Sequence, residues 1–412
     1  EKERNMKLIM IRKDIKCIVL LLFAIGLADK IFAKDLFVAP NGSDTITYSQ
    51  NDINNPWATP QKAWYNAQAG DIVYFRAGTY TISGQIDTGT NGHDGTSSAW
   101  IEFTRYGSES VTIKGTGGTL QSMFKIGKDY NYIHHLNFDA DGNSRVFMVG
   151  YDTPTVTGFR IEHCTLEDWA NGDNCSALYL GSTYASATAK QIVVRNCIIN
   201  GRSTANYQNY CGIQTFGVSG FTIENNEISY VVHGIYLKHS TIEYTNHGST
   251  VRYNWIHDQQ TSSTGAHKGA IDICENYVTV SHNICHHGIN IGENAQAGGS
   301  PNGNYNTIEH NTSRSYGCTL IGDNGSNYNT IRNNIFASRT TLGTGNVWDY
   351  NMYISGSAIG AHDLGNTSPA FVGGSLPTSI DGFALITDSN GENVASDGTD
   401  IGADVSIVGT GS

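Results

Sequence analysis

Gly212-Ile213-Gln214-Thr215-Phe216, Gly234-Ile235-Tyr236-Leu237-Lys238, Ala270-Ile271-Asp272-Ile273-Cys274 and Gly288-Ile289-Asn290-Ile291-Gly292 are four short runs of one kind. Leu178-Tyr179-Leu180 precedes them and Leu320-Ile321-Gly322-Asp323 follows. Stacked, their second column is Leu178, Ile213, Ile235, Ile271, Ile289 and Leu320, all large aliphatics. The third is Tyr179, Gln214, Tyr236, Asp272, Asn290 and Ile321, mostly polar or amphipathic; the fourth is mostly apolar again. Period-two alternation predicts strands with one face inside and one outside.

A second series interleaves with the first. Phe159-Arg160-Ile161-Glu162-His163-Cys164 and its counterparts end on Cys164, Cys197, Asn226, Asn254, Asn283, Asn311, Asn334 and Asn351. The intervals are 33, 29, 28, 29, 28, 23 and 17 residues. Such periods mean a solenoid, whose units bury apolar faces only against their neighbours. No helical stretch separates the strands, leucine-rich spacing is absent, and a propeller blade needs a longer unit. The expectation is therefore a parallel β-helix of roughly ten coils, with Asn side chains bonded in file along one bend.

Composition agrees with a turn-rich all-β protein: 47 Gly and 15% charged residues in 412. The N-terminus carries Lys7, Arg12, Lys13 and Lys16, then an apolar run from Ile18 to Leu27, with Ala33 as a small-residue cleavage site. Residues 1–33 read as a secretory signal peptide, too short in its apolar part to span a membrane. Secretion is expected (periplasmic, cell-surface or extracellular), with 34–412 as one domain. Within it, 34–80 form the N-terminal cap and first coil, and 355–412 the closing segment. The formal charge is −12, and removing the basic leader makes the remainder more acidic still, which argues against nucleic acid. Cys17 precedes the apolar run, a poor place for a lipid-bearing cysteine. An odd number of cysteines then remains. Cys164 with Cys197, and Cys175 with Cys211, sit on successive coils, so disulfides and buried thiols both stay open. No Cys-x-x-Cys motif indicates zinc.

Thr59-Pro60-Gln61-Lys62-Ala63-Trp64 opens with an N-cap and a first-turn proline, and Gly70 follows. A short helix is expected to cover the solenoid's open end. Longer gaps at 168–176, 182–190, 200–211, 239–249, 258–268 and 293–305 read as loops leaving the coils. The stretch Phe37-Val38-Ala39-Pro40-Asn41-Gly42-Ser43-Asp44, continued by Pro56 to Tyr80, resembles the N-terminal module of secreted bacterial right-handed β-helix proteins. These include polysaccharide lyases of the pectate lyase and alginate lyase/chondroitinase B types. The resemblance implies a single-stranded right-handed parallel β-helix and an enzyme that degrades polysaccharide.

On the outward columns, Tyr179, Gln214, Tyr236 and Asn290 are candidates for binding sugar rings, which have apolar faces and hydroxyl edges, and Lys268, from the gap before the next strand, is a further substrate-binding candidate. Lys238 is the only lysine in the strand ladder from Leu178 to Asp323, with His233, His239, His257, His267 and Lys268 nearby in sequence. A uronate lyase removes the proton beside a carboxylate, stabilises the resulting anion and protonates a leaving oxygen. The resemblance implies lysine as base, which assigns Lys238, with His239 or His267 as acid. The alginate lyase/chondroitinase B pattern would bring an arginine on the next coil, where this chain has Ala270-Ile271-Asp272-Ile273. Asp272, Glu275 and Glu293 could hold calcium. Two other readings stand beside this one: a glycoside hydrolase using Asp272 with Glu293 or Asp323, and a non-catalytic glycan-binding or surface solenoid.

Overall fold

The computed structural model describes residues 33–151, 155–181, 188–238, 248–262, 269–292, 303–315, 318–320, 326–340 and 343–409. Contacts divide the chain into Glu1–Lys34 and Asp35–Ser412, and the solenoid lies within the second unit. Each coil visits three sheets in turn, as in Ile72–Phe75, Gly78–Ile82 and Ile86–Asp87. Among the described residues the first sheet has 13 strands, the second 12 and the third 10, with partners that are one coil apart in sequence. Strand pairs such as Thr155–Glu162 with Thr188–Arg195 are parallel. Among the described residues the third sheet contributes ten strands, one to a coil. The fold is a parallel β-helix.

The predicted columns are the observed ones. Leu178, Ile213, Ile235, Ile271 and Ile289 are register partners in the third sheet. The next coil differs: Ile289 faces Cys318, and Leu320 faces Ile291. The expected pairing of Leu320 with Ile289 is thus off by two residues. A slip of two keeps the face, so the apolar pattern alone could not reveal it.

The Gly-Ile pair has a steric cause. A Cβ on Gly212 would lie 2.8 Å from the Gly234 carbonyl oxygen and 2.8 Å from Ile228 of the second sheet. On Gly234 it would meet the Ala270 carbonyl at 2.5 Å and Ile256 at 2.6 Å. Both positions turn inward at the corner between second and third sheets, beside an aliphatic that also points inward. Only a minimal residue fits there; Ala177 and Ala270 occupy it on other coils.

The asparagine file forms at the bend between the first and second sheets. Asn226 Nδ2 donates to Asn254 Oδ1 at 3.0 Å, Asn254 to Asn283 at 2.9 Å, Asn283 to Asn311 at 2.9 Å and Asn311 to Asn334 at 3.0 Å. Asn334 donates to Asn351 at 2.9 Å, and Asn351 to the Asp363 carboxylate at 3.3 Å. The residue just before each file member is left-handed, with φ between 51° and 59° at His163, Asn196, Asn225, Tyr253, His282, His310, Asn333 and Tyr350. That conformation turns the chain, and Asn and His tolerate it better than most side chains. The same positions then stack in space: the rings of His282 and His310 lie 4.8 Å apart.

A helix covers the first end, and the closing segment packs along the flank of the last coils. The predicted helix is Pro60–Asn66, with Thr59 accepting from the Lys62 amide at 3.2 Å. It ends at Ala67, before Gly70, and stacks Trp64 on Phe103 at 4.0 Å. In the closing segment Phe371, Phe383 and Ile401 pack with Trp255, Ile284, Ile335 and Met352. These four alternate along their strands with Ile256, Cys285, Phe336 and Tyr353 of the main core, so they sit on the outer side of the second sheet. Cys164, Cys175, Cys197, Cys211 and Cys285 are buried and form no disulfide. Cys164 and Cys197 each donate to a backbone carbonyl at 3.3 Å rather than forming a disulfide.

Candidate active site

The outward side of the third sheet was expected to be solvent-facing. It is buried: Tyr179 is 4% exposed, Gln214 0%, Tyr236 2%, Asp272 0% and Asn290 9%. Parallel sheets are ordinarily covered on both faces. The stretches read as loops at 168–176 and 200–211 lie against the coils, and the Gln208 carbonyl reaches the outward-facing His233. They fold back instead of projecting, with Trp169 stacked on Tyr210 at 5.3 Å, both in the main core. Tyr179, Gln214 and Tyr236 therefore offer no open face to a sugar ring in this conformation. Both amide atoms of Gln214 lack a hydrogen-bond partner among the described residues.

Asp272 is fully committed. Its Oδ1 accepts from Asn290 Nδ2 at 2.7 Å and from the Gly269 amide at 3.2 Å, while Oδ2 meets His233 Nδ1. His233 Nε2 lies 2.9 Å from the Gln208 carbonyl oxygen, which can only accept, so Nε2 carries a proton. A cation or a sugar at Asp272 would have to displace one of these partners. Glu275 lies on the other side of the sheet: it accepts from Thr215 Oγ1 at 3.4 Å, and Thr215 is a register partner of the core residues Leu180 and Leu237. Burial pushes its carboxyl well above the usual range. Asp272 and Glu275 thus do not converge on one calcium cage. His239, His267, Lys268, Glu293 and Asp323 lie outside the described residues.

Lys238 stands apart. Its Nζ sits 5.1 Å from the Phe216 ring centre and 4.6 Å from that of Tyr236. Tyr236 in turn stacks on His233 at 4.5 Å, and Phe216 on Tyr179 at 5.2 Å. Among the described residues no hydrogen bond or ion pair reaches the ammonium. Burial lowers its pKa; Cys211, Cys274 and Asp173 oppose that shift, and the positive charge of Arg145 adds to it. A lysine that gives up its proton more readily than usual can serve as a base.

Two features were not read from the sequence. Arg145 opens the strand Arg145–Val149, in register with Ser176, Cys211 and His233 on later coils. That strand has no Gly-Ile pair, so it escaped the repeat. Asp139, Asp141 and Asp168 form the second feature, with ligand atoms within 4.8 Å of one another. Lys114 already lies 2.6 Å from Asp139 and 3.2 Å from Asp141, and Arg202 lies 2.8 Å from Asp168. Two protein cations hold these carboxylates, and a metal would have to expel them.

No protein-family profile matches the chain. Over 85 residues it is 36% identical to pectate lyase PEL9 of Emericella nidulans, a stretch covering 21% of this chain and 19% of that protein. Pectate lyase Pel9A superposes with a TM-score of 0.55 at 15% identity, over 91% of this chain and 97% of its own. XylC, solved with xylose, gives 0.51 at 12% identity, over 80% and 86%. No helix among the described residues is long and apolar enough to cross a membrane. In fold, the chain resembles the parallel β-helix polysaccharide lyases.

Proposed function

We propose that the protein is a secreted polysaccharide lyase that cleaves a uronic-acid-containing polysaccharide by β-elimination. The observation that carries this reading is Lys238: an ammonium resting on two aromatic rings, partly desolvated, with no anion of its own among the described residues. In neutral form it takes the proton beside the substrate carboxylate. The electrons of that C–H bond form the C=C bond, the glycosidic C–O bond breaks, and the leaving oxygen takes up a proton. His239 or His267 is proposed as donor of that proton. Lys268 and Asn290 are proposed to contact the sugar at the margin of the aromatic strip of Tyr179 and Tyr236. The basic and then apolar N-terminus supports export. No step runs through calcium, because Asp272 and the Asp139 cluster are already engaged by protein groups.

The test is a panel of uronate polysaccharides assayed for the ultraviolet absorbance of an unsaturated uronate. Elimination gives that absorbance, and Lys238→Ala is expected to reduce it by about a thousandfold, the scale of losing a general base. The wild-type rate should climb with pH as Lys238 loses its proton, starting below the pH at which a free lysine would. New reducing ends without absorbance would mean hydrolysis. Tight binding with neither product would mean a glycan-binding solenoid. Either result ends the lyase reading.

A further inference from the structure

His134 ends the strand Asn131–His134 of the first sheet, and His135 forms the corner that follows. Neighbours along an extended strand point to opposite faces. His135 is left-handed instead, with φ 56°, and that turn brings its ring back beside its predecessor's. The two Nδ1 atoms lie 2.6 Å apart, with the ring planes at 75°. From the preceding coil, Glu102 Oε1 meets His134 Nε2 at 2.7 Å, and Thr104 Oγ1 reaches His134 Nδ1 at 3.2 Å. Tyr132 stacks on His134 at 4.4 Å, and His163 of the next coil stacks on His135 at 4.9 Å. Both rings are thus held in place while remaining partly exposed.

Other coils solve this corner differently. Strand end and corner are Glu162 and His163, Arg195 and Asn196, or Glu309 and His310; only on this coil are both imidazoles. Histidines elsewhere turn their nitrogens to carboxylates. His257 lies between Glu227 and Asp258, at 3.2 and 2.9 Å, and His310 is 3.1 Å from Asp397. His134 gives only Nε2 to a carboxylate. With Nε2 donating to Glu102, the neutral ring turns its Nδ1 lone pair towards His135.

We propose that His134 and His135 bind one divalent transition-metal ion through their two Nδ1 atoms, with Glu102 as the carboxylate behind His134 and water in the remaining positions. Imidazole nitrogens favour zinc, nickel and copper over calcium, and copper(II) heads the affinity order with a preference for ligands at right angles. Two such nitrogens, each about 2.0–2.1 Å from an ion, stand about 2.9 Å apart. A few tenths of an ångström of ring movement therefore converts the present contact into a chelate. The ion takes the place of the hydrogen bond between the rings, and His135 then carries its proton on Nε2. A carboxylate on the far nitrogen fixes the tautomer of a metal-bound histidine and makes it a better donor, which is the place Glu102 occupies. The pair belongs to the first sheet and Lys238 to the third, so this site stands or falls apart from the lyase reading.

The experiment titrates copper(II) into the untagged, chelator-stripped full chain with glycine as competitor. Calorimetry reads the stoichiometry, and electron paramagnetic resonance counts the nitrogen ligands. Wild type is expected to take one tight equivalent held by two imidazole nitrogens. His135→Asn suits the left-handed corner, where Asn196 and Asn225 stand on later coils. It should weaken that equivalent about tenfold or more, as should His134→Gln and the outer carboxylate variant Glu102→Gln. His163→Asn changes a stacked ring but no proposed ligand, and should leave the tight equivalent in place. Thermal unfolding without metal confirms that each variant is folded. Wild type without a tight equivalent, ligation by a single nitrogen, or a site that survives the loss of either His134 or His135 would overturn the proposal.

Discussion

Titratable side chains in this protein are governed more by burial than by pairing. His286 shows it most clearly. Its Nδ1 accepts from the Asp258 amide at 3.2 Å, which places the proton of the neutral ring on Nε2. The ring packs edge-on against Trp255, with centres 5.1 Å apart. Burial, joined by the charges of Arg314 and His257, lowers its pKa to about 4. The unfolded chain therefore binds a proton at His286 that the folded chain refuses. Its contribution to stability is complete above pH about 6.5 and is lost as pH falls towards about 4. His135 and His282 are lowered in the same sense, each next to another histidine. His286→Asn, which retains an acceptor for the Asp258 amide, is expected to lose less stability than wild type between pH 7 and about 4. Denaturant midpoints across that range are the measurement, and parallel curves would contradict it.

For the elements, legibility followed repetition. The asparagine file and the Gly-Ile corner could be read because each coil repeats one steric problem at one position, and the sequence answers it with the same residue type. The cover over Tyr179 and Gln214 could not be read. Nor could the path of the non-repeating stretch around Tyr210, whose return to the sheet depends on contacts with Trp169 and His233. The side of the sheet on which each residue lies was predictable, but its exposure was not. For the same reason Lys238 was found as a singular lysine in a ladder, whereas Arg145 needed three dimensions. The file itself can be tested at Asn283. This residue accepts from the backbone and side chain of Asn254 and donates to Val251, Ser281 and Asn311. Asn283→Ala leaves several buried polar groups unmatched and should cost roughly 3 kcal/mol in chemical denaturation. A loss below about 1 kcal/mol would show that the file adds little beyond turn geometry.

As a whole molecule, the solenoid joins neighbours only, so damage should stay local. Phe383 is the place to examine this. It is 2% exposed and joins Phe371 to Trp255, with ring centres at 5.5 and 5.7 Å. Phe383→Ala should destabilise the docking of the closing segment by about 3–5 kcal/mol. Hydrogen exchange should then accelerate in 371–405 and in the last coils, while the coils around Phe103 and Phe124 keep their protection. Uniform acceleration along the chain would instead mean a single cooperative unit.

The asparagine file also has a polarity. Every amide from Asn226 onward points its NH2 end towards the later coil and its oxygen towards the earlier one. Their dipoles add head to tail along the axis, much as peptide units do in an α-helix. The positive pole emerges at Asn351, where Asp363 presents a carboxylate to it. At the opposite pole, Asn226 offers its oxygen to the Cys197 amide, and thiols take over the column. The stack thus has a plus end terminated by an anion and a minus end that fades into uncharged sulfur. Coils can be inserted in its middle without altering either terminus.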